Sequence, residues 1–215
     1  MLFRSYSQIH LLVVDDDSQD GTVDEVASLQ KNFERLSLIR RQGVVKGLGK
    51  SYIAGMQWAL QQGMEKIIQM DADFSHDPQA ISLLLEKSRE SDVVVGSRYI
   101  DGGRIVNWPW QRLVASKAAN GYIRLITRLP IHDCTSGFKC WNARVLKKIN
   151  LGKVYSEGYA FLVETIYRAY KNGFSIVELP IVFVERERGE SKIWKSGILE
   201  SFFKPWKLVL ADQRD

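Results

Sequence analysis

The chain has 215 residues, 45% of them hydrophobic, which is enough to bury one substantial core. Its formal net charge is +5 at pH 7, but its basic residues do not form the dense tract of a nucleic-acid-binding arm. No apolar run approaches the roughly 18 residues of a membrane-spanning helix, and the N-terminal residues lack the apolar segment of a signal peptide. Cys134 and Cys140 do not have zinc-site spacing. We therefore expect a cytoplasmic protein with reduced thiols and no nucleic-acid partner.

Strand-like and helix-like stretches alternate along the chain. Apolar runs predict strands at residues 11–14, 36–40, 66–70, 92–96, 138–141 and 174–184, the last with Pro180 at an edge or bulge. Helical spacing predicts helices at residues 22–34, 47–61, 110–128, 159–171 and 198–210, and Pro78 opens one more. This alternation predicts a single α/β domain with a mixed, mainly parallel sheet sandwiched by helices. Ligands of such sheets bind beyond the carboxyl ends of the strands.

Four carboxylates are crowded into VVDDDSQDGT, directly after the first predicted strand. They belong to Asp15, Asp16, Asp17 and Asp20. A calcium loop of the EF-hand type is excluded, because the position that should carry its bidentate Glu is Ala27. One interpretation is that Ser18 or Asp20 caps the following helix. The other is a nucleotide pocket in which a carboxylate hydrogen-bonds a base or ribose. This interpretation explains why four carboxylates are present, since one is enough to cap a helix.

A second acidic motif, Met70-Asp71-Ala72-Asp73, follows the third predicted strand. Two carboxylates two residues apart after a strand suit a divalent cation, Mg²⁺ or Mn²⁺, that bridges two phosphates. The substrate's phosphate oxygens would complete the coordination. The alternative is a solvated turn that caps the helix at Pro78. Both acidic clusters lie at predicted strand ends, which favours the metal interpretation.

Several segments resemble a known enzyme family. VVDDDSQDGT, GKSYIAGMQWAL and MDADFSHDP resemble glycosyltransferase family 2 enzymes of the GT-A (Rossmann-like) fold. VVVGSRYIDGGRIVNWPWQRLVASKAANGYIR, DCTSGFKCW, SEGYAFLVETIYRAYKNGFSIVELPIVF and RERGESK resemble the dolichyl-phosphate (polyprenyl-phosphate) mannosyltransferases of that family. Relatives begin with a strand and a P-T-Y-N-E-like loop that helps bind the nucleotide base. Both are absent from this sequence, so we expect an N-terminally truncated GT-A domain over residues 1–192.

The resemblance implies transfer of mannose from GDP-mannose to a polyprenyl (dolichyl) phosphate, with inversion. A divalent metal would be held by Asp71 and Asp73, and by Ser75 at a position where relatives often carry Gln. The metal would neutralise the charge that builds on the departing diphosphate. The attacking phosphate oxygen is already anionic near neutral pH, so no strong general base is needed. His76 and His132 are accordingly interpreted as polar loop residues.

The resemblance also implies which residues contact the two substrates. Arg98, Arg112 and Ser116 would hold the acceptor phosphate, and Arg112 and Ser116 share one helix face. The basic loop after the last strand would clamp the donor diphosphate or the acceptor phosphate through Arg186, Arg188, Ser191 and Lys192. Asp133 would contact sugar hydroxyls or only cap a turn. The predicted catalytic residues are Asp73, Arg98 and Arg186. The alternative for Arg112 and for the basic loop is a solvated charge without a ligand.

The segment at residues 193–215 predicts an amphipathic helix. Ile198, Phe202, Trp206 and Val209 have near-helical spacing between lysines, which suits the membrane interface. The alternative is a core-packing helix kinked at Pro205. Because the implied acceptor is a lipid, we expect a cytoplasmic protein that associates peripherally with the membrane surface. Some relatives carry C-terminal spanning helices that this sequence lacks, so a separate membrane-anchoring subunit is a further expected partner.

Two other functions stay open at this point. The first is a UDP-glucose-dependent polyprenyl-phosphate glucosyltransferase, because the loop that would discriminate between nucleotide bases is missing. The second is a non-catalytic nucleotide-binding remnant, which the truncated start suggests. Product formation from one donor or the other separates the two enzymes, and activity of any kind excludes the remnant.

Overall fold

The structure is a computed structural model that describes residues 9–185 and 198–212. Within these ranges the chain forms eight strands and seven α-helices. The residues group into two compact units, Met1–Met64 and Glu65–Asp215.

The first unit is a β-α-β-α arrangement. Its elements are β1 (Leu11–Asp15), α1 (Thr22–Gln30), β2 (Leu36–Arg40) and α2 (Leu48–Gln61). The two strands pair in parallel, with Leu11 opposite Leu36. Gly55 lets α2 approach β1 closely, because a Cβ at this position would lie 3.1 Å from a methyl group of Val14. The unit therefore presents the residues after β1 and after β2 at the same edge of a two-stranded sheet.

The second unit contains a four-stranded mixed sheet. Its elements are β3 (Lys66–Gln69), α3 (Ala80–Lys87), β4 (Val93–Ser97), β5 (Arg104–Val106), α4 (Trp110–Thr127), β6 (Lys139–Asn142), α5 (Ala143–Lys148), α6 (Tyr159–Lys171), β7 (Ile176–Pro180), β8 (Val182–Val184) and α7 (Ile198–Asp212). The strand order is β3-β6-β4-β7, and β5 pairs with β8 in a separate two-stranded sheet. β6 is antiparallel to both of its neighbours, whereas β4 and β7 are parallel.

The core of the second unit lies around the two central strands. Every residue of β4 is buried, and so are Phe138 and Trp141 beside it. The Trp141 indole donates a hydrogen bond to the side-chain oxygen of Gln69 at 2.9 Å, which joins β6 to β3. A core of this kind holds the carboxyl ends of β3 and β4 in fixed positions.

The predicted fold class is confirmed, but two predicted elements differ in extent and two short elements were not predicted. The predicted strand at 174–184 is two strands that separate at Ile181; the preceding Pro180 has no N–H to continue the ladder. The helix predicted to reach residue 34 ends at Gln30. β5 and α5, which have only three and six residues, were not predicted from the sequence. Segments this short carry too few apolar positions for a period to show.

Candidate active site

The acidic loop after β1 has its charges balanced within the first unit. Asp16 forms an ion pair with Arg41 and accepts a hydrogen bond from the backbone N–H of Gly47 at 2.8 Å. Asp17, whose backbone φ is +62°, pairs with Arg40 at 3.2 Å. Arg40 is the last residue of the parallel strand β2, and Arg41 follows it. The mutual repulsion of the neighbouring carboxylates is therefore offset by these two arginine side chains, which lie at the same sheet edge.

The other two carboxylates of this loop bind local groups. Asp15 accepts the backbone N–H of Ser18 at 2.9 Å. Asp20 accepts the backbone N–H of Thr22 at 3.1 Å and its hydroxyl at 2.6 Å, and these bonds lower the pKa of Asp20. Asp20 thus orders the turn into α1, but neither Ser18 nor Asp20 is the predicted cap, because Gly21 occupies the cap position and no side chain caps the helix. The role of the four carboxylates toward a nucleotide stays a prediction.

The Asp71-Ala72-Asp73 turn follows β3 in the second unit. Asp73 accepts hydrogen bonds from the backbone N–H of Ser75, at 3.1 Å, and from the Ser75 hydroxyl. A Cβ on Gly137 would lie 2.9 Å from a carboxylate oxygen of Asp71, so only glycine fits at that position without displacing the Asp71 side chain. The backbone N–H of Asp71 donates to Nδ1 of His76 at 3.3 Å. Both carboxylates are thus oriented by their surroundings.

His76 supports this turn from the protein interior. It is 3% exposed, and its ring stacks on Phe138 with centroids 5.0 Å apart. Burial lowers the pKa of His76, with opposing contributions from Asp71 and Asp73. A neutral imidazole whose Nδ1 accepts a hydrogen bond carries its proton on Nε2. His76 therefore positions the turn, in agreement with its interpretation as a polar loop residue.

The turn contains two of the three predicted metal ligands as partly exposed carboxylates, Asp71 and Asp73. Ser75 is 1% exposed and directs its hydroxyl at Asp73. Among the residues that the structure describes, no group of three or more His, Cys, Asp or Glu side chains is arranged to hold a metal. The predicted coordination by Asp71, Asp73 and Ser75, completed by substrate oxygens, stays a prediction.

Arg98 and Asp133 form a buried, two-pronged ion pair beyond the end of β4. Nε and Nη2 of Arg98 each lie 2.7 Å from a different oxygen of Asp133, and the backbone N–H of Arg98 donates to the same carboxylate at 3.1 Å. The Asp133 side chain is fully buried. Nη2 also donates to the Thr135 hydroxyl at 3.0 Å. Most donors of Arg98 are therefore engaged by the protein itself.

The segment that carries Asp133 is held by hydrogen bonds to side chains of β7 and α4. Glu178 on β7 accepts the backbone N–H groups of His132 and Asp133, at 2.8 and 3.0 Å. Asn120 on α4 accepts the backbone N–H of Cys134 at 2.8 Å and donates to Thr135 at 3.2 Å. From the sequence, Asp133 was predicted to bind sugar hydroxyls or to cap a turn. The structure shows a third use, since its carboxylate binds the Arg98 guanidinium.

Arg112 lies on the first turn of α4, against an aromatic ring. Its guanidinium carbon is 3.9 Å from the ring centroid of Trp108, and it forms an ion pair with Glu185. Arg98 lies on the same ring at 5.7 Å. Four residues after Arg112, the Ser116 hydroxyl accepts a hydrogen bond from the Tyr99 hydroxyl at 2.7 Å. The three residues predicted to hold the acceptor phosphate are therefore brought together around Trp108 and Tyr99.

Three residues of this cluster were missed by the sequence analysis: Trp108, Tyr99 and Glu185. The Trp108 Nε1 is buried and has no hydrogen-bond partner among the described residues. The spacing of NWPWQR offered one signal, because it places an aromatic ring four residues before Arg112. Four predicted residues, Arg186, Arg188, Ser191 and Lys192, lie outside the residues that the structure describes.

The last helix, α7, packs on α4 and α6. Leu208 is buried, and the Trp206 indole donates to the Tyr122 hydroxyl at 3.0 Å. Phe203 and Leu210 are more than half exposed. Of the predicted apolar face, Trp206 is half-exposed and Val209 is partly exposed, and the side chains of 198 and 202 lie outside the description. None of the described helices has the length and apolar character needed to span a membrane.

The exposed side of α4 carries an apolar stripe at helical spacing. Trp110, Val114 and Leu125 are 70%, 57% and 78% exposed. Arg112 and Ser116 lie on a different side of the same helix, where they meet Trp108 and Tyr99. One helix thus presents an apolar surface to the outside and a basic, polar surface to the candidate site.

Strands and helices in this order, with acidic turns after β1 and β3, define an α/β protein of the GT-A class. A structure of glucosyl-3-phosphoglycerate synthase from Mycobacterium tuberculosis, in complex with Mn²⁺, UDP-glucose and phosphoglyceric acid, is similar with a TM-score of 0.63. It is 13% identical, and the match covers 95% of this chain and 73% of that one. A second structure of the same enzyme, with Mn²⁺, UDP and phosphoglyceric acid, has a TM-score of 0.64 at 12% identity. These likenesses support the fold.

Sequence comparison identifies the family. Residues 2–149 match the family model described as Glycosyl transferase family 2. The polyprenol monophosphomannose synthase of Mycolicibacterium smegmatis is 46% identical over 201 residues, which cover 92% of this chain and 75% of that protein. The undecaprenyl-phosphate mannosyltransferase of Micrococcus luteus is 42% identical over 183 residues, covering 85% and 75%. The chain belongs to glycosyl transferase family 2, and it is a glycosyltransferase, which confirms the predicted resemblance.

Proposed function

We propose that this protein transfers mannose from GDP-mannose to the phosphate of a polyprenol, with inversion at the sugar and with a divalent cation bound. The observation that carries this proposal is the 46% identity, over 92% of the chain, to an enzyme named polyprenol monophosphomannose synthase. The cluster of Arg112, Ser116 and Trp108 on and beside α4 supports it, because guanidinium and hydroxyl donors suit a phosphate. No observation favours UDP-glucose as donor or a non-catalytic remnant.

The charge balance of this reaction removes the need for a general base. The acceptor is a phosphomonoester that carries about two negative charges near pH 7. Its oxygen attacks the anomeric carbon of mannose, and the bond from that carbon to the β-phosphate of GDP breaks. The product is a phosphodiester with about one charge fewer, and the leaving GDP gains that charge. No proton needs to be removed, so positioning and charge compensation carry the catalysis.

Asp71 and Asp73 fit a hard divalent cation such as Mg²⁺ or Mn²⁺. Their partly exposed carboxylates follow β3, and the absence of a side chain on Gly137 leaves room for Asp71. When bound, the ion would compensate the charge that develops on the donor's β-phosphate. Ser75 orients the Asp73 carboxylate, and His76 orients the backbone of Asp71. The carboxylates of Asp15, Asp16, Asp17 and Asp20 are proposed to contact the nucleotide.

Arg112 and Ser116 are the proposed ligands of the acceptor phosphate. Arg112 is partly exposed, whereas Arg98 has its Nε and Nη2 donors committed to buried Asp133. Breaking a buried pair of this kind costs about 3–5 kcal/mol, more than one phosphate contact returns. Arg98 therefore acts mainly as a positioning residue that holds the Trp108 ring and adds positive potential. The roles of Arg186, Arg188, Ser191 and Lys192 as phosphate ligands stay predictions.

A lipid acceptor requires contact with a membrane surface. The apolar stripe of Trp110, Val114 and Leu125, together with half-exposed Phe203 and Leu210 on α7, suits insertion into the interface of a bilayer. The net charge of +5 favours anionic lipid. We therefore propose a cytoplasmic protein that associates peripherally with the membrane; a separate anchoring subunit stays a prediction.

The proposal is tested by turnover. Purified protein is incubated with a short polyprenyl phosphate, Mn²⁺ and either GDP-mannose or UDP-glucose, and lipid-linked sugar is measured. Product from GDP-mannose is expected, with a loss of at least about 100-fold for Asp73→Asn. The matched control is Asp77→Asn in the same loop, whose exposed side chain accepts the Gln79 N–H and should leave the rate unchanged. Product from UDP-glucose alone, or equal rates for Asp73→Asn and wild type, would contradict the proposal.

A further inference from the structure

The two arginines near Trp108 are both paired with carboxylates, but the two pairs differ in exposure. The side chains of Arg98 and Asp133 are 9% and 0% exposed, whereas those of Arg112 and Glu185 are 27% and 24% exposed. A buried pair is costly to separate, while a partly exposed pair contributes little because water can replace either partner. Of the two guanidinium groups, the one on Arg112 is therefore the one that an incoming anion can take over.

The Glu185 carboxylate occupies the guanidinium that the proposed function assigns to the acceptor phosphate. Glu185 accepts a hydrogen bond from Nη1 of Arg112, so a phosphate that takes this nitrogen must displace the carboxylate, and the two anions also repel each other. We propose that Glu185 exchanges with the acceptor phosphate on Arg112: it leaves when the acceptor binds and returns when the mannosylated product departs. This inference rests on the proposed function.

The surroundings confine the exchange to one side chain. The backbone N–H of Glu185 donates to the carbonyl of Val106 at 3.1 Å, and that of Val184 donates to the carbonyl of Ser75 at 3.2 Å. These bonds hold the backbone of Glu185 and of the residue before it. Arg112 keeps its place on the Trp108 ring, 3.9 Å from the centroid, by a cation–π contact that does not depend on the carboxylate. Only the Glu185 side chain needs to rotate into solvent.

The charges of substrate and product give the exchange a direction. The acceptor phosphomonoester carries about two negative charges near pH 7, and a carboxylate carries one. The acceptor can therefore displace Glu185 from Arg112. After transfer, the phosphodiester carries about one charge, which is no more than that of Glu185. The carboxylate then competes on equal terms and is covalently tethered beside Arg112, which favours release of the product.

The test compares affinities for two ligands that differ only in this charge. The probes are a ten-carbon prenyl phosphate, as acceptor, and its methyl ester, as the phosphodiester product analogue. Dissociation constants and KM values are measured for wild type, for Glu185→Gln and for Glu86→Gln. Glu86 is an exposed residue of α3, so its substitution changes the net charge equally but lies on another element. Each substitution is also made together with Arg112→Gln.

Glu185→Gln is expected to lower the dissociation constants of both ligands about fivefold, because the competing carboxylate of a partly exposed pair is removed. Product inhibition should strengthen by the same factor, while the KM for GDP-mannose stays constant. Glu86→Gln should change neither constant, and the effect of Glu185→Gln should vanish in the Arg112→Gln background. Weaker binding in Glu185→Gln would mean that Glu185 only holds Arg112 in place, and that result overturns the exchange.

Equal constants in wild type and Glu185→Gln would also overturn the exchange, while leaving the proposed function intact if wild type still transfers mannose. Failure of wild type to bind the prenyl phosphate or to transfer mannose would overturn the proposed function and the exchange together. The wild-type turnover and the ratio between variants therefore separate the two failures.

Discussion

The buried pair between Arg98 and Asp133 permits a quantitative prediction about stability. Asp133→Asn retains the shape of the side chain but replaces one carboxylate oxygen with an amide NH₂ group, which only donates hydrogen bonds. That amide would face the donors of Arg98, which now lie within 2.7 Å of both carboxylate oxygens. The substitution leaves a guanidinium, 9% exposed, without a counter-charge.

The expected cost follows from this burial. Removing one partner of a buried pair destabilises a protein by about 3–5 kcal/mol, because the remaining charge stays desolvated. The asparagine oxygen can still accept the backbone N–H of Arg98, so we expect the lower end, about 3 kcal/mol. For a chain of this size that loss corresponds to a decrease in Tm of roughly 6–12 °C.

The assay is urea denaturation followed by circular dichroism, with Asp101→Asn as control. Asp101 is an exposed residue of the turn before β5, so its substitution should change the free energy of unfolding by less than about 0.5 kcal/mol. The double variant Arg98→Met/Asp133→Asn should recover at least about 1 kcal/mol relative to Asp133→Asn, since no unpaired charge remains buried. A loss below about 1 kcal/mol for Asp133→Asn, or no recovery in the double variant, would refute the reasoning.

Three further predictions concern other buried groups. Gly137→Ala places a Cβ 2.9 Å from an Asp71 oxygen, so Mn²⁺-dependent transfer should fall by about 10–100-fold with little change in circular dichroism; an unchanged rate would show that Asp71 can move freely. Burial lowers the pKa of Lys139 from its usual value of 10.5 to about 7. Between these two pH values the unfolded chain carries a proton that the folded protein does not, so stability due to this residue rises with pH. The stabilisation of Lys139→Met relative to wild type, measured by urea denaturation, should therefore be largest below pH 7 and shrink toward pH 10; a constant difference contradicts the burial. Cys134 and Cys140 are buried, and burial raises the pKa of Cys134 to about 12, so neither thiol should react with a disulfide reagent at pH 8 until urea unfolds the protein, and rapid labelling of native protein would contradict this.

Local patterns in the sequence were sufficient for most elements of the fold and for the two acidic turns. The bounds of β2 agree with the apolar run that predicted it, and Asp71 and Asp73 follow β3 as expected. A strand of alternating burial and a turn that follows it depend on neighbouring residues only, so their signals are present in short windows. Pro180 likewise marked the point where one predicted strand becomes two.

The carboxylate partners of the arginines could not be predicted from local sequence patterns. Arg112 meets Glu185 across 73 positions of sequence, and Arg98 meets Asp133 across 35. Such pairs depend on how β4, α4 and the segment after β8 come together, and many other carboxylates in the sequence would have served equally well. The arginines of the proposed site were thus predicted from the sequence, but their pairing with Asp133 and Glu185 was not.

Helix α4 also constrains where the chemistry takes place relative to the lipid. Val114 on the outer stripe and Ser116 on the inner side are two residues apart, which is about 3 Å along the helix axis. If the stripe rests in the headgroup layer, the acceptor's phosphate reaches Arg112 and Ser116 at the depth where phosphates already lie. The isoprenoid tail then stays in the bilayer throughout turnover, and the enzyme contacts only the phosphate end of its substrate. Polyprenyl phosphates of very different lengths should therefore be equally good acceptors.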